Sequence, residues 1–294
     1  MTRTRWLEAG LVYCAFVWGT TFVLVKDLVG SMAPAPMVGW RFLLSAACLL
    51  PWVLRRPRLG AHLREGLVLG AILLVLYLTQ TAGLAFTSAS NSGFITGLFV
   101  LFTPLFLFLF LRRPPTAGQW AATVLAVAGL WLLTGGPGGF NRGDALTLLA
   151  AMAYAAHLLA TDAYVNAEVD ATLLAFHQFW VCGVGAFLVG ASQAVPLGVP
   201  SAPAWAAVWF LALVPNLSAF LIQMSAQKSV PPLKVSLIFS LEPVFAALVA
   251  WTWGGELLTP AKAAGGALIV AAMMADTVAQ LPALRGRSKE VLPV

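Results

Sequence analysis

Charged residues are scarce in this chain. Only 10% of its 294 residues are Asp, Glu, Lys or Arg, whereas 60% are hydrophobic. A soluble domain usually has about 25% charged residues, and a chain with so few cannot cover a core of this size with polar surface. The composition therefore excludes a soluble enzyme, a disordered protein and a nucleic-acid-binding protein. It indicates a protein whose surroundings are lipid.

Metal-binding and catalytic patterns are also missing. The three cysteines, Cys14, Cys48 and Cys182, lie far apart in apolar segments without metal-site spacing, and we interpret them as small core residues. The sequence has no H-E-x-x-H pattern, no phosphate-binding loop of the Walker type and no nucleophile elbow. We therefore predict that the protein is not an enzyme and uses no metal and no cofactor.

Long apolar stretches dominate what is present. Residues 66–111 and 171–227 contain no charged side chain, and each stretch is long enough for two membrane-spanning helices of about 20 residues. Small polar residues at 87–91 and a proline cluster at 196–203 mark turns within them. The sequence predicts an all-α integral membrane protein with ten transmembrane helices. The predicted helices cover residues 6–25, 36–54, 66–86, 90–111, 117–134, 144–162, 171–191, 204–225, 232–253 and 260–281.

The basic residues are distributed unevenly between alternate loops. Of the 17 Lys and Arg, all but four fall in the tails and loops on one side of the predicted bundle. Lys26, Arg142 and Lys262 fall on the other side, and Arg41 lies within a helix. Because cytoplasmic loops carry the excess of Lys and Arg, we predict that both termini are cytoplasmic. The loop at 163–170 is an exception on that side, since it carries acidic but no basic residues.

The two halves of the chain contain short motifs in the same order. Residues 103–106 (TPLF) match 242–245 (EPVF), and 116–119 (TAGQ) match 259–262 (TPAK). Five helices in each half make equivalent helices cross the membrane in opposite directions. This is the inverted-topology repeat of many secondary transporters, in which the substrate site lies near the membrane midplane. The predicted units are a first repeat at 1–135, a second repeat at 136–282 and a cytoplasmic basic tail at 283–294.

An ordered set of motifs resembles one family of transporters. The set comprises WGTTFVLVK at 18–26, SLEPVFAAL at 240–248, GGELLT at 254–259 and GGALI at 265–269. It resembles the EamA family of the drug/metabolite transporter superfamily over nearly the whole chain. One departure is LRRP at 111–114, which stands where the first repeat of the family usually has a Gly-x-Glu element.

The resemblance implies a ten-helix carrier in the bacterial inner membrane. Members of the family export amino acids, including aromatic ones, and related small metabolites, and some move cationic or toxic compounds. The resemblance does not choose between these substrates.

Titratable residues inside the predicted spans are the first functional candidates. Arg41 either contacts a substrate carboxylate or has a structural role, by snorkelling to the membrane surface or by pairing. Glu242 precedes Pro243, which is expected to interrupt helix 9, and it either binds a cation or proton or is a structural carboxyl group. His157 is the second candidate for proton coupling, with a hydrogen-bonded core histidine as the alternative.

Aromatic, amide and hydroxyl side chains at helical spacing form a second set of candidates. Such groups suit a pocket for a small amphipathic molecule, and interhelical packing is the alternative. Together with Arg41 and His157, the predicted substrate-binding residues are Trp18, Phe22, Tyr77, Gln80, Asn91, Tyr154, Asn216, Gln223 and Ser240. Pro215, directly before Asn216, predicts a second interrupted helix.

These observations predict a secondary transporter that works by alternating access around a central cavity. The expected partners are a small-molecule substrate and the lipid bilayer, with no nucleic acid, and the protein is expected as a monomer or a homodimer. A channel-like pore for small solutes and an intramembrane enzyme acting on lipids are the alternatives. Such an enzyme would need a cluster of carboxylates or histidines, and the sequence offers only isolated ones.

Overall fold

Helices account for all of the regular secondary structure in the described residues, which are 3–111, 116–136, 138–165, 168–230 and 232–285 of a computed structural model. We number ten helices in chain order and count an interrupted helix as one. The continuous helices are α1 (Arg3–Leu28), α2 (Pro34–Val53), α3 (Leu63–Leu84), α5 (Ala117–Thr134), α6 (Arg142–Tyr164), α7 (Ala171–Ser192) and α10 (Pro260–Arg285). Most of the predicted basic tail, residues 286–294, lies outside the described part of the chain.

Three helices are interrupted. α4 consists of Ala89–Gly97 and Phe99–Leu111, and α9 consists of Pro232–Phe239 and Glu242–Thr252. α8 consists of Ala202–Leu211, a π-helical segment at Ala212–Ser218, and Ala219–Gln227.

The length and composition of these helices fit a membrane. Eight helical segments are long and apolar enough to cross a bilayer, and shorter apolar helices at Leu237–Thr252 and Pro260–Ala275 complete the set. The prediction of an all-α membrane protein with ten helices is therefore confirmed.

Proline accounts for two of the interruptions. Pro215 lies in the π-helical segment of α8. A proline has no N–H for the helical hydrogen bond, and this explains why the regular α-helix is interrupted there. Pro243 stands in the first turn of the second segment of α9, a position that proline tolerates. Both interruptions were predicted and are confirmed.

The helix predicted at 90–111 is present, but a turn that the sequence did not predict interrupts it. α4 is interrupted at Leu98, where no proline stands. The Leu98 N–H donates to Ile95 O, and the Leu101 N–H donates to Leu98 O, so the chain turns more tightly here than an α-helix does. Gly97 adjoins this turn and packs closely on α9, since a Cβ at Gly97 would lie 3.0 Å from Pro243 Cγ.

The helix packing has an internal symmetry. α2 packs on α7, α4 on α9 and α5 on α10, and the contact of α3 with α6 has a counterpart in the contact of α8 with α1. If α1–α5 are exchanged with α6–α10, so that α1 takes the place of α6 and so on, the same pairs of helices are in contact. Two equivalent five-helix units would pack in this way, while the unit boundaries at 135/136 and 282/283 stay predictions.

Several contacts join the loops at one end of the bundle, which we call the Lys26 end. Lys26 Nζ donates to Leu84 O at 2.7 Å, and Thr87 Oγ1 donates to Asp144 Oδ1 at 2.5 Å. Glu256 Oε1 accepts the Ala89 N–H at 2.5 Å, and the Glu256 carboxylate also accepts from the Ser90 hydroxyl. These contacts connect α1, α3, α4, α6 and the loop after α9.

The opposite end, the Arg56 end, has its own loop contacts. Arg56 Nε pairs with Asp170 Oδ2 at 2.8 Å, and Lys228 Nζ donates to Val169 O at 2.6 Å. Val169 and Asp170, from the acidic loop, therefore lie at the same end as the basic loop that follows α2. The sequence-based sorting of these loops agrees with their positions.

Candidate functional site

A small cavity lies in the centre of the bundle, between α1, α3, α6, α8 and α9. The centres of water-sized molecules can occupy about 30 Å³ of it, which is room for only a few waters. A larger molecule therefore requires the surrounding helices to move apart. The cavity is lined by Trp18, Thr21, Leu76, Tyr77, Gln80, Tyr154, His157, Phe220, Gln223 and Glu242.

Aromatic side chains form much of the cavity wall, and Trp18 lies at their centre. Its ring makes edge contacts with Phe220, at a centroid distance of 5.6 Å, and with Tyr154 at 6.4 Å. Its Nε1–H donates to Pro215 O at 2.8 Å, which ties α1 to the π-helical segment of α8. Tyr154 stacks in turn on Phe99 at 4.2 Å. Such contacts hold the rings in fixed orientations.

Glu242 supplies a buried carboxyl group to this wall. The side chain is only 4% exposed and accepts a hydrogen bond from Tyr154 Oη at 3.2 Å. Within the described residues, no Lys or Arg forms an ion pair with it. α1 lies close to this point, since a Cβ at Gly19 would be 2.7 Å from Glu242 O. The site therefore places an acid without a basic partner beside the cavity, where it can bind a proton or a cation.

His157 lines the cavity and is hydrogen-bonded through its ring. Its Nε2 lies 2.9 Å from Gln178 Oε1, and its Nδ1 lies 3.5 Å from Thr161 Oγ1. This arrangement fits the structural alternative, a hydrogen-bonded core histidine. On α8, Gln223 brings an amide to the same cavity, and its Nε2 has no partner among the described residues.

Arg41 and Asn216 lie beside the cavity but do not line it. The Arg41 side chain is only 3% exposed, and its Nη2 donates to Asn216 Oδ1 at 2.7 Å. Its Cζ stands 4.7 Å from the centroid of the Tyr77 ring, which does line the cavity. The guanidinium is thus held inside the protein and does not snorkel to the membrane surface.

The remaining predicted residues lie elsewhere. Phe22 belongs to an apolar cluster with Val25 and Leu28, near the Lys26 end. Asn91 lies in the first turn of α4, where its N–H donates to Ser88 Oγ. Ser240 is buried in the turn between the two segments of α9. The structure does not bring these three side chains to the cavity.

Three lining residues were absent from the predicted set. Thr21 follows Trp18 by three residues, and Phe220 precedes Gln223 by three, so helical spacing is the signal that would have found both. Leu76 carries no such signal, because an apolar residue in an apolar helix looks like any other.

Comparison with known proteins identifies a family that this chain matches. The sequence model of the EamA-like transporter family matches residues 6–135 and again 141–275. A protein of Archaeoglobus fulgidus described as an uncharacterized transporter is 29% identical over 275 residues, covering 92% of this chain and 86% of the relative. The Escherichia coli K12 protein described as the uncharacterized inner membrane transporter YedA is 25% identical, covering 89% and 87%.

A solved crystal structure shares the fold. It matches with a TM-score of 0.66 and 19% sequence identity, and the match covers 95% of this chain and 98% of the other. The family model spans most of the chain in two successive matches, and the fold is that of a multi-pass membrane protein. The chain therefore belongs to the EamA-like transporter family.

Proposed function

We propose that this transporter is a secondary carrier that exports amino acids, including aromatic ones, or related small metabolites. The observation that supports this most is the buried Tyr154–Glu242 pair, which faces an aromatic cavity beside interrupted helices. Interrupted helices near the midplane form the substrate and ion sites of many carriers.

The chemistry of the cavity wall suits a small amphipathic molecule. Glu242 can bind an ammonium group, and the rings of Trp18 and Phe220 can pack on an apolar or aromatic side chain. Gln80 and Gln223 add amide groups that can orient such a molecule. An amino acid combines these features in one compound.

Transport by alternating access requires each end of the bundle to open in turn. The contacts at the Lys26 end and at the Arg56 end are hydrogen bonds and one ion pair between loops, which can break without unfolding a helix. We propose that opening one end while the other stays closed exposes the cavity to one side at a time. The energy comes from a gradient, with Glu242 as the proton-binding group and His157 as the second candidate.

Cationic or toxic compounds are a second candidate class of substrate. A carboxylate beside aromatic rings is also the arrangement that binds organic cations, and Glu242, Trp18 and Phe220 provide it. The two classes differ in one respect, because a cationic compound needs no group that recognises a carboxylate.

For the orientation, we propose the inner membrane with both termini in the cytoplasm. This places the Lys26 end, which has few basic residues, outside. The name of the YedA relative includes the inner membrane, which supports the location. A reporter fused after residue 60 should be cytoplasmic, and a periplasmic signal there would contradict the orientation.

The proposed function is tested by counterflow. Purified protein in liposomes is loaded with one unlabelled compound from a panel of amino acids, their amides and simple amines, and the uptake of a trace of the labelled compound is followed. A carrier gives a transient accumulation above equilibrium for at least one compound, whereas a channel gives none. Absence of counterflow for the whole panel would overturn the proposal, and counterflow for amines alone would favour the cationic class.

A further inference from the structure

Arg41 is a buried cation without an anionic partner. It lies eight residues into α2, about 10 Å along the helix axis from the start at a rise of about 1.5 Å per residue. No Asp or Glu in the described ranges forms an ion pair with it. A charged side chain at such a depth is expensive and marks a substrate or ion pathway by default. The charge of Arg41 is therefore not neutralised by an acidic side chain of the described residues.

Two hydrogen-bond donors at this position have no acceptor. Arg41 Nε and Asn216 Nδ2 are both buried, and neither has a partner among the described residues. The orientation of the Asn216 amide follows from its neighbour, because Arg41 can only donate and therefore faces Oδ1. Two adjacent unpaired donors and one positive charge match the acceptor-only chemistry of a carboxylate.

The main chain holds this pair of side chains in place. Ser45 Oγ, one turn after Arg41 on α2, donates to Ala212 O of the π-helical segment. Trp18 Nε1–H donates to Pro215 O, directly before Asn216. The π-helical segment is therefore fixed to both α1 and α2, and Asn216 is presented to Arg41 by a rigid local structure.

The Tyr77 ring connects this pair to the cavity. Its side chain lies against the guanidinium and also lines the cavity. Phe42 packs edge-on against the same ring at a centroid distance of 4.7 Å. The Tyr77 ring thus makes a cation–π contact with the Arg41 guanidinium. This contact is weaker than a hydrogen-bonded ion pair with a carboxylate.

We propose that Arg41 and Asn216 form a subsite for the substrate carboxylate, which Tyr77 closes when no substrate is bound. The inference rests on the proposed function and names the chemical class of its substrate. The ammonium group binds at Glu242, the carboxylate displaces the Tyr77 ring from Arg41, and the side chain of the substrate lies among the aromatic rings. Arg41 and Glu242 together then select a zwitterion over an amine.

The test compares acids with their amides. The compounds are the proteinogenic amino acids, each paired with its amide, and 3-phenylpropionate paired with 3-phenylpropanamide. Purified protein in detergent is heated with increasing concentrations of each compound. Apparent Kd values are taken from the rise in unfolding temperature. We expect at least one free acid to bind about tenfold more tightly than its amide, the effect of one hydrogen bond to a charged group. A ratio near one for every pair overturns the subsite without the use of any variant.

Two substitutions locate the preference. Asn216→Asp gives Arg41 a carboxylate within the protein, so the acid-to-amide ratio should fall to about one. Arg41→Gln removes the charge and should do the same, which keeps the test valid if one variant fails to fold. A ratio that stays at the wild-type value in a folded variant overturns the assignment to Arg41 and Asn216.

The result is independent of the counterflow experiment. Counterflow together with equal affinities for acids and amides would support the carrier and contradict the carboxylate subsite. A clear preference for acids without counterflow leaves the subsite in place and removes the carrier.

Discussion

At the scale of single residues, Glu242 carries most of the proposed mechanism. Its carboxyl group is buried at the cavity, hydrogen-bonded to Tyr154, and unpaired with any base among the described residues. If it carries the coupled proton, Glu242→Gln should lose the response of net transport to an imposed pH difference. Counterflow needs no net proton movement and should persist, but only at higher substrate concentration, because the variant also lacks the carboxylate that binds the ammonium group. Both properties can be measured in the same liposomes.

Glu65 provides a matched control for this substitution. It is an acid in the first turn of α3, away from the cavity lining, and Glu65→Gln should keep both counterflow and the response to pH. A Glu242→Gln protein that still responds to the pH difference like the wild type would remove Glu242 from the coupling step.

A second prediction concerns the hydrogen bond between Trp18 and the π-helical segment. Trp18→Phe leaves Pro215 O without its donor in a dry environment, and we expect a loss of about 1 kcal/mol of unfolding free energy. Trp40 makes a bond of the same length, 2.8 Å, to Leu197 O in a more exposed position. Trp40→Phe should lose less, because water can replace the bond.

Unfolding in mixed micelles with increasing dodecyl sulfate measures both losses. Equal losses in Trp18→Phe and Trp40→Phe would show that the bond to Pro215 O has no special role. The comparison holds the removed atoms constant, so the difference reports the surroundings of the two indole rings, including the bond.

Residue type predicted part of the candidate site but not its shape. Trp18, Tyr77, Gln80 and Glu242 belong to the predicted set and line the cavity, whereas Asn91 lies outside it. A single sequence gives the residues on one helix face, but it does not show which faces of different helices meet. The contact of Arg41 with Asn216, 175 positions apart, depends on which helix faces meet and could not be predicted from the sequence.

At the scale of the elements, local chemistry explains the interruptions unequally. Proline predicts the breaks in α8 and α9, since its missing N–H acts at a known position. The break at Leu98 in α4 has no such mark, and it lies where Gly97 packs on α9. A turn produced by packing between distant helices cannot be derived from the local sequence.

The start of α4 offers a prediction at this scale. Glu256 accepts the N–H groups of Ala89 and Ser90, where the positive end of the helix dipole favours a negative charge. Glu256→Gln removes that charge, so the first turn of α4 should open more often. Hydrogen exchange of these two amides should become about fivefold faster, which corresponds to roughly 1 kcal/mol.

The start of α5 is the internal reference for that measurement. Its first turn is capped by Thr116 and Gln119, which bond to each other's backbone, and Glu256 takes no part in this cap. Equal acceleration in both first turns would indicate general destabilisation and would contradict a specific role for Glu256.

At the scale of the whole molecule, the contacts between the first five and the last five helices follow a two-fold pattern, and the cavity lies between these two sets of helices. Loop contacts join the helices at both ends, and the cavity has room for only a few waters. The loop contacts at both ends and the narrow cavity predict that access changes by movement of helices and not through a permanent pore.

Access to the cavity from the two sides of the membrane tests this central claim most directly. Thr21 lines the cavity, and Thr21→Cys, in a chain whose native Cys14, Cys48 and Cys182 are replaced by alanine, can be labelled there by a membrane-impermeant maleimide. The account predicts labelling from each side in turn, with a bound substrate shifting the rate from one side to the other. Fast labelling from both sides at once, unchanged by any substrate, would show a continuous pore and contradict alternating access.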